Sequence, residues 1–402
     1  MTVDKNRHAR IGILDHVGFS LGGGQLVVGR LAETLSQQHD VEIIHAEAGY
    51  TLERLKAAFR LDLSRVRERT FSGLPGTFSI PGDNSSLRQS LRIARALSQP
   101  YDVLIYSGHG VPPFCYARRG LVYCHFPMES SPLRELQIDP RWANRNPIDR
   151  WIRGRAYEWL WRKRMRKYTT IFANSLFTAS WIKRRWGKAA EVLYPPVEVS
   201  FPGVAKRSLI VSVGRFTGSR RSKNQLEQVR AFREVSAQIA EDWRLCLIGS
   251  CGSCSEDRAY LDAVERAAEG LPVSFLVDEE REAICRTLAE AKLFWHTAGL
   301  SVNEAAYPQE AEHFGIATVE AMRAGCVPVV VAAGGQREIV EDGVSGFLVQ
   351  DLHDLIQRSV ALAREESLLE RMSRQALQRS MAFTREVFDA RVRVVVAQGP
   401  DL

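Results

Sequence analysis

No apolar run reaches the roughly 18 residues that a membrane-spanning helix needs. The opening MTVDKNRHAR is polar, with no apolar stretch behind a basic start. A chain without a spanning or secretion signal is expected. Cysteine is sparse: the seven at 115, 124, 246, 251, 254, 285 and 326 are odd in number and scattered, which excludes a small disulfide-stapled fold. Reduced thiols in a cytoplasmic protein are expected instead. Cys251-Gly252-Ser253-Cys254 has neither a second pair nor a neighbouring histidine to complete a zinc site, and reads as a loop. No short repeat or low-complexity tract is present. What remains is a chain of 402 residues, 45% hydrophobic and 25% charged, long enough for two or three domains with real cores.

The net charge of +7 is local. Between Arg141 and Tyr168 ten Arg or Lys face only Asp149 and Glu158, ten less two or +8, so the rest of the chain sums to about −1. Four of the eight tryptophans (Trp142, Trp151, Trp159, Trp161) lie in the same stretch. Tyr157, Trp161, Met165 and Tyr168 fall near one helical stripe, with Arg153, Arg155, Arg162, Lys163, Arg166 and Lys167 spread over the remainder. Three readings stand: a helix lying on an anionic membrane surface, an ordinary helix packed by its aromatics, or a docking patch for an anionic acceptor. A nucleic-acid partner is not expected, because no recognised module accompanies the charge.

Short Val/Ile/Leu-rich runs alternate with amphipathic helical stretches, the pattern of buried parallel strands with crossover helices, so the fold class is α/β. In the first half strands are expected at 11–16, 41–46, 102–107, 121–125 and 170–173, with helices near 25–38, 86–97, 148–167 and 176–186. YPPVEVSFPGVAKRS, with three prolines, reads as a connection between domains. A second series follows, with strands at 209–213, 244–248, 273–277, 293–296 and 327–331 and helices near 223–240, 256–269, 279–290 and 315–324. Two Rossmann-like domains are thus expected, 1–195 and 205–377, with ligands at the carboxyl ends of their strands and the site in the cleft between them.

Three segments carry candidate chemistry. Leu21-Gly22-Gly23-Gly24-Gln25 follows the first strand and opens the first helix, where bare backbone suits a phosphate; a plain glycine turn fits as well. Gly214-Arg215-Phe216 ends a strand and Lys223-Asn224-Gln225 begins the next helix, so Arg215 and Lys223 could grip a diphosphate, while Arg220 and Arg221 read as solvated loop charges. Glu312-His313-Phe314-Gly315-Ile316-Ala317-Thr318-Val319-Glu320 places two carboxylates around a helix start. Those acids could hold ligand hydroxyls while an anion rests on the helix amino end; the plainer reading pairs Glu320 with Arg323 on an exposed face. His109, His296 and His313, near strand ends, are cleft candidates, although structural hydrogen bonding is the commoner role of a lone histidine.

Joined together, the glycine loop, VYCHFP, FANSLFTASWIKRRW, LYPPV, VGRF with KNQ, and EHFGIATVEAMRAGCVPVV followed by GGQREIVEDGVSGFLV resemble the GT-B glycosyltransferases of family 4. The resemblance covers nearly the whole chain. The YCHFP and EHFGI segments look most like mannosyltransferases that extend lipid-linked oligosaccharides, and like related bacterial enzymes. It implies a nucleotide-sugar donor, a hydroxyl acceptor (a lipid-linked glycan, a polysaccharide or a small metabolite), retention of anomeric configuration and no metal cofactor. The lack of a D-x-D sequence agrees with the last.

Carried over by position, Arg215 and Lys223 would bind the donor diphosphate, with Gly22, Gly23 and Gly24 approaching it from the other domain. Glu312 would hold sugar hydroxyls, Phe314, Gly315 and Ile316 would line the phosphate, and Glu320 would bind the ribose. His125 would sit near the reacting centre and orient the donor sugar. The Arg215-to-Lys223 spacing is longer than in many members. The family's terminal helix returns to the first domain, which here implies residues beyond about 378. An epimerase of the same fold, a phosphorylase and a non-catalytic nucleotide-sugar binder are the alternatives.

Overall fold

The computed structural model describes residues 8–16, 22–46, 52–71, 87–128, 130, 146–218 and 222–397. Leu21, Trp142, Arg220 and Arg221 lie outside them, as does the side chain of Arg153. The chain folds as two compact units: the first runs through Pro196 and resumes at Glu386, the second covers Val197–Arg385.

The first unit winds as β1 (Arg10–Asp15), α1 (Gly23–Ser36), β2 (Asp40–His45), α2 (Leu52–Phe59), β3 (Val66–Thr70), α3 (Leu87–Ser98), β4 (Val103–Gly108), β5 (Arg119–Cys124), α4 (Pro147–Met165), β6 (Tyr168–Ala173), α5 (Leu176–Trp186) and β7 (Glu191–Val192). Its sheet has the order β3-β2-β1-β4-β5-β6-β7 with every pairing parallel. β4 and β5 are buried at every residue, which is why they read as continuous apolar runs. Ser175 starts α5 by accepting the Thr178 N–H at 3.0 Å, and Gly187 in the left-handed region (φ 66°) stops it.

The second unit continues with β8 (Arg207–Val213), α6 (Gln225–Ser236), β9 (Arg244–Gly249), α7 (Ser255–Ala267), β10 (Val273–Val277), α8 (Arg281–Glu290), β11 (Ala291–His296), α9 (Ile316–Arg323), β12 (Val327–Val331), α10 (Gln336–Ile339), β13 (Phe347–Val349), α11 (Leu352–Arg364) and α12 (Glu366–Ser380). Its six parallel strands lie in the order β10-β9-β8-β11-β12-β13. Chain order reverses between β1 and β4 in one sheet and between β8 and β11 in the other, the places where such sheets open a crevice at their carboxyl edge.

Two expectations need correction. One stripe of α4 turns inward: Trp161 and Met165, with Tyr168 just beyond the helix, are core residues, and Trp161 meets Trp186 edge-on at 6.3 Å. They make a packing face, not a membrane face. The return to the first unit comes later than about 378. Arg379 donates to the Glu338 and Ile339 carbonyls, and Phe383 packs on Phe314 at 5.6 Å, so 378–385 stay with the second unit.

The last helix, α13 (Arg385–Ala397), then buries Phe388, Val392, Val395 and Val396 against α1 and the first sheet. Asp389 accepts from buried Arg30 (Nε to Oδ1 3.1 Å, Nη2 to Oδ2 3.0 Å) and from Thr34 Oγ1 at 2.7 Å. Asp389→Ala should cost the first unit about 3 kcal/mol, because a guanidinium at 2% exposure loses its fork partner. Urea titration of the variant checks this.

Candidate active site

Three groups meet where the second sheet reverses. Lys223 stands between β8 and α6, His296 ends β11, and Glu312 lies on the loop before α9. The Lys223 ammonium donates to Glu312 Oε2, and His296 Nε2 lies 3.1 Å from the same oxygen. Both bonds fall on Oε2, so Oε1 is left to accept a ligand hydroxyl. Burial alone would raise the Glu312 carboxyl; Lys223 and His296 outweigh it and hold the acid well below the usual carboxylate range.

Each residue of the KNQ segment helps to set this geometry. Lys223's stem crosses Gly214 so closely that a Cβ there would lie 2.2 Å from Lys223 Cγ. Its carbonyl accepts from Thr297 Oγ1 and, at 3.2 Å, from Gln228 Nε2. Asn224 adopts the left-handed region (φ 52°) and donates to the Thr297 carbonyl at 2.7 Å, so the strain, about 1 kcal/mol or more, is held by a tie to the residue just after β11. Gln225 Nε2 donates to the Gly214 and Arg215 carbonyls, both at 3.1 Å, and fixes the turn after β8.

Sequence reasoning gave His296 only as one of three cleft candidates near strand ends and missed Gln336. Gln336 Nε2 lies 3.2 Å from His296 Nδ1 and 3.0 Å from Thr318 Oγ1, with all three residues buried. An amide nitrogen has only N–H to offer, so Nδ1 accepts and the ring proton sits on Nε2, toward Glu312. Burial, then Lys223, push His296 below its ordinary 6.5. The folded state therefore holds a neutral ring where the unfolded chain takes a proton, and stability falls as pH drops below 6.5. Glu312 acts in the same sense lower down, its contribution being lost as pH falls through the ordinary 4.5 toward the folded value. His296→Gln should flatten the upper part of that slope. Urea midpoints of both proteins at neutral pH and near pH 5.5 check it.

Glu320 is not the exposed partner of Arg323. Only 7% exposed, it is gripped by Arg281 at the start of α8, a pairing with no sequence signal. Gly315 caps α9, and the Ile316 and Ala317 amides open it, where no earlier helix carbonyl reaches them. Phe314 is buried, so only its backbone is placed to meet a ligand. Arg215 is exposed and makes no ion pair with the described residues; the structure does not join it to the Lys223–Glu312 pair.

The remaining candidates belong to the first unit. Gly22 precedes α1 and donates its N–H to Gln25 Oε1 at 3.1 Å, so that amide is already used, while Gly23 and Gly24 form the helix's first turn. His125 follows β5, is 5% exposed, and shares a 2.9 Å hydrogen bond from Nε2 to Ser107 Oγ at the end of β4. His109 and Tyr123 flank its ring at 5.3 and 5.0 Å. All seven cysteines are free thiols, and no group of three His, Cys, Asp or Glu that could hold a metal ion occurs among the described residues.

Two doubly wound parallel sheets, the second bearing a lysine, paired acids and a glycine-capped helix at its switch point, define the GT-B architecture. Two family models match adjacent stretches: Glycosyltransferase Family 4 over residues 21–201 and Glycosyl transferases group 1 over residues 200–379. The chain belongs to the family 4 glycosyltransferases. It is 28% identical over 223 residues to the GDP-Man:Man(3)GlcNAc(2)-PP-Dol alpha-1,2-mannosyltransferase of Mus musculus, covering 49% of this chain and 42% of that one. Against alpha-1,3/1,6-mannosyltransferase alg2 of Schizosaccharomyces pombe it is 27% identical over 251 residues, 57% of this chain and 47% of the other. The match thus spans less than half of either relative. Crystalline Anabaena Alr3699/HepE in complex with UDP and glucose has the same fold, with a TM-score of 0.66 at 16% identity, covering 98% of this chain and 100% of that one.

Proposed function

We propose that the protein transfers a hexose from a nucleoside diphosphate sugar to an acceptor hydroxyl, with retention and without a metal. The observation that carries this reading is the Lys223–Glu312–His296 cluster at the switch point beside the amino end of α9. In the proposed reaction the bond from the sugar's C1 to the diphosphate oxygen breaks. The acceptor oxygen bonds to C1 from the same face, and its proton passes to the departing phosphate. Negative charge grows on the leaving group, which the Lys223 ammonium, Arg215 and the α9 amides would stabilise. Glu312 Oε1 would accept a sugar hydroxyl and Glu320, held by Arg281, a ribose hydroxyl; His125 would orient the sugar.

Guanosine diphosphate mannose is the donor to try first and a lipid-linked glycan the acceptor, as the mouse relative's name records both for that protein. The test is a panel of GDP-, UDP-, ADP- and dTDP-sugars, read by thermal shift and by release of nucleoside diphosphate, with and without a chelator. A true donor at 100 times its Kd adds about 2.7 kcal/mol to native stability and is slowly hydrolysed. If no donor stabilises the protein or is consumed, the reading is wrong. Release of an altered nucleotide sugar without acceptor would assign an epimerase instead.

A further inference from the structure

We propose that α4 lays its outer face on a bilayer surface carrying anionic headgroups. This inference is independent of the transfer reading, since it concerns a surface of the first unit that can be assayed without a donor. The helix has two apolar stripes. One, containing Trp161 and Met165, is core. The other stands in solvent: Ile148 is 68% exposed, Trp151 68%, Ile152 55% and Trp159 59%. Arg155, Arg162, Lys163 and Arg166 are exposed too, and their spacing at intervals of three and four residues puts them on the stripe of those apolar residues.

The acids of α4, Asp149 and Glu158, fall at the margins of this stripe, and Glu158 is engaged by Arg162. Lys163 Nζ lies 4.9 Å above the Trp159 ring, so cation and indole present one joint surface. Two tryptophans and two isoleucines exposed together on one helix are unusual for a surface that meets only water. Indoles at the interface with lysines and arginines beside them match a layer that is apolar within and negative at its rim. Charge complementarity therefore selects anionic lipid as the occupant.

The test is sedimentation of the full chain with vesicles of phosphatidylcholine, pure or doped with phosphatidylglycerol, at low and high salt. Binding should require the anionic lipid and weaken with salt. Lys163→Glu combined with Arg166→Glu should lower partitioning by roughly two orders of magnitude. Trp151→Ser with Trp159→Ser should lower it at least tenfold, while the urea midpoint stays unchanged because these side chains are exposed. Quenching of tryptophan fluorescence by brominated lipid should fall in Trp151→Phe. Failure to bind doped vesicles at low salt, or binding untouched by either double variant, overturns the proposal. So does light scattering that shows a dimer abolished by Trp151→Ser, which would give the face to a second copy of the chain.

Discussion

Lys223→Ala is expected to lower turnover by roughly 10²–10³-fold, the scale on which removal of a preorganised charge at a leaving group acts. The loss has two parts. The ammonium is the cation the structure fixes at the switch point, its backbone tied to Thr297 and its stem to Gly214. It also offsets the burial that would otherwise raise the Glu312 carboxyl. Without it Glu312 keeps only the His296 N–H, and its pKa climbs. Transfer by the variant should therefore recover in part as pH rises, a response the parent lacks. Stability should drop by about 3 kcal/mol, the low end for breaking a buried pair, because the side chains are 23% and 19% exposed. Adding Glu312→Gln should restore much of that stability and none of the activity. A Lys223→Ala enzyme at parental turnover would remove the cluster from the mechanism.

How much of this was legible depended on burial. Strands covered on both faces announce themselves as apolar runs, and β12, buried at every residue, lies at 327–331 as its run predicts. The unexpected β3 has one buried residue, Val66, followed by Arg-Glu-Arg-Thr; it is an edge strand held by backbone pairing to β2, and nothing in its composition says strand. β7 and β13, with two and three residues, are too short for a period. In α4 the difficulty was symmetry. A helix with apolar residues at 148, 151, 152 and 159 and again at 157, 161 and 165 carries two stripes of one period, and only packing against α5 and the sheet decides which turns inward.

The site divides along the same line. Glu312, Glu320 and Lys223 could be singled out because acids around a glycine-led helix start and a lysine opening a helix are local patterns. Their partners were not: Arg281 is 39 positions from Glu320 in the chain and Gln336 is 40 from His296, and no period links such distances. Arg215 is the converse case, a motif residue whose side chain is exposed and outside the Lys223–Glu312 pair, so packing says nothing about it.

Gly334→Ala is expected to be the most damaging single-methyl change in the second unit. Gly334 has φ +55°, which strains any side chain, and a Cβ built there lies 2.0 Å from the Glu312 carbonyl oxygen and 2.9 Å from its carbon. Those contacts are with backbone, so no rotamer change relieves them. The only escape is to move the loop carrying Glu312, which would break the 2.8 Å bond from the Gly335 N–H to the Glu312 carbonyl and pull the carboxylate from Lys223 and His296. We expect a loss of about 4 kcal/mol or more in urea titration, with donor binding abolished. Gly343→Ala separates the causes. Its φ is +73°, yet nothing lies within 4 Å of its Cβ, so it should cost only the 1–2 kcal/mol or so of left-handed strain and leave donor binding intact. Equal losses in the two variants would mean that strain alone acts at Gly334 and that the loop before α9 is free to yield.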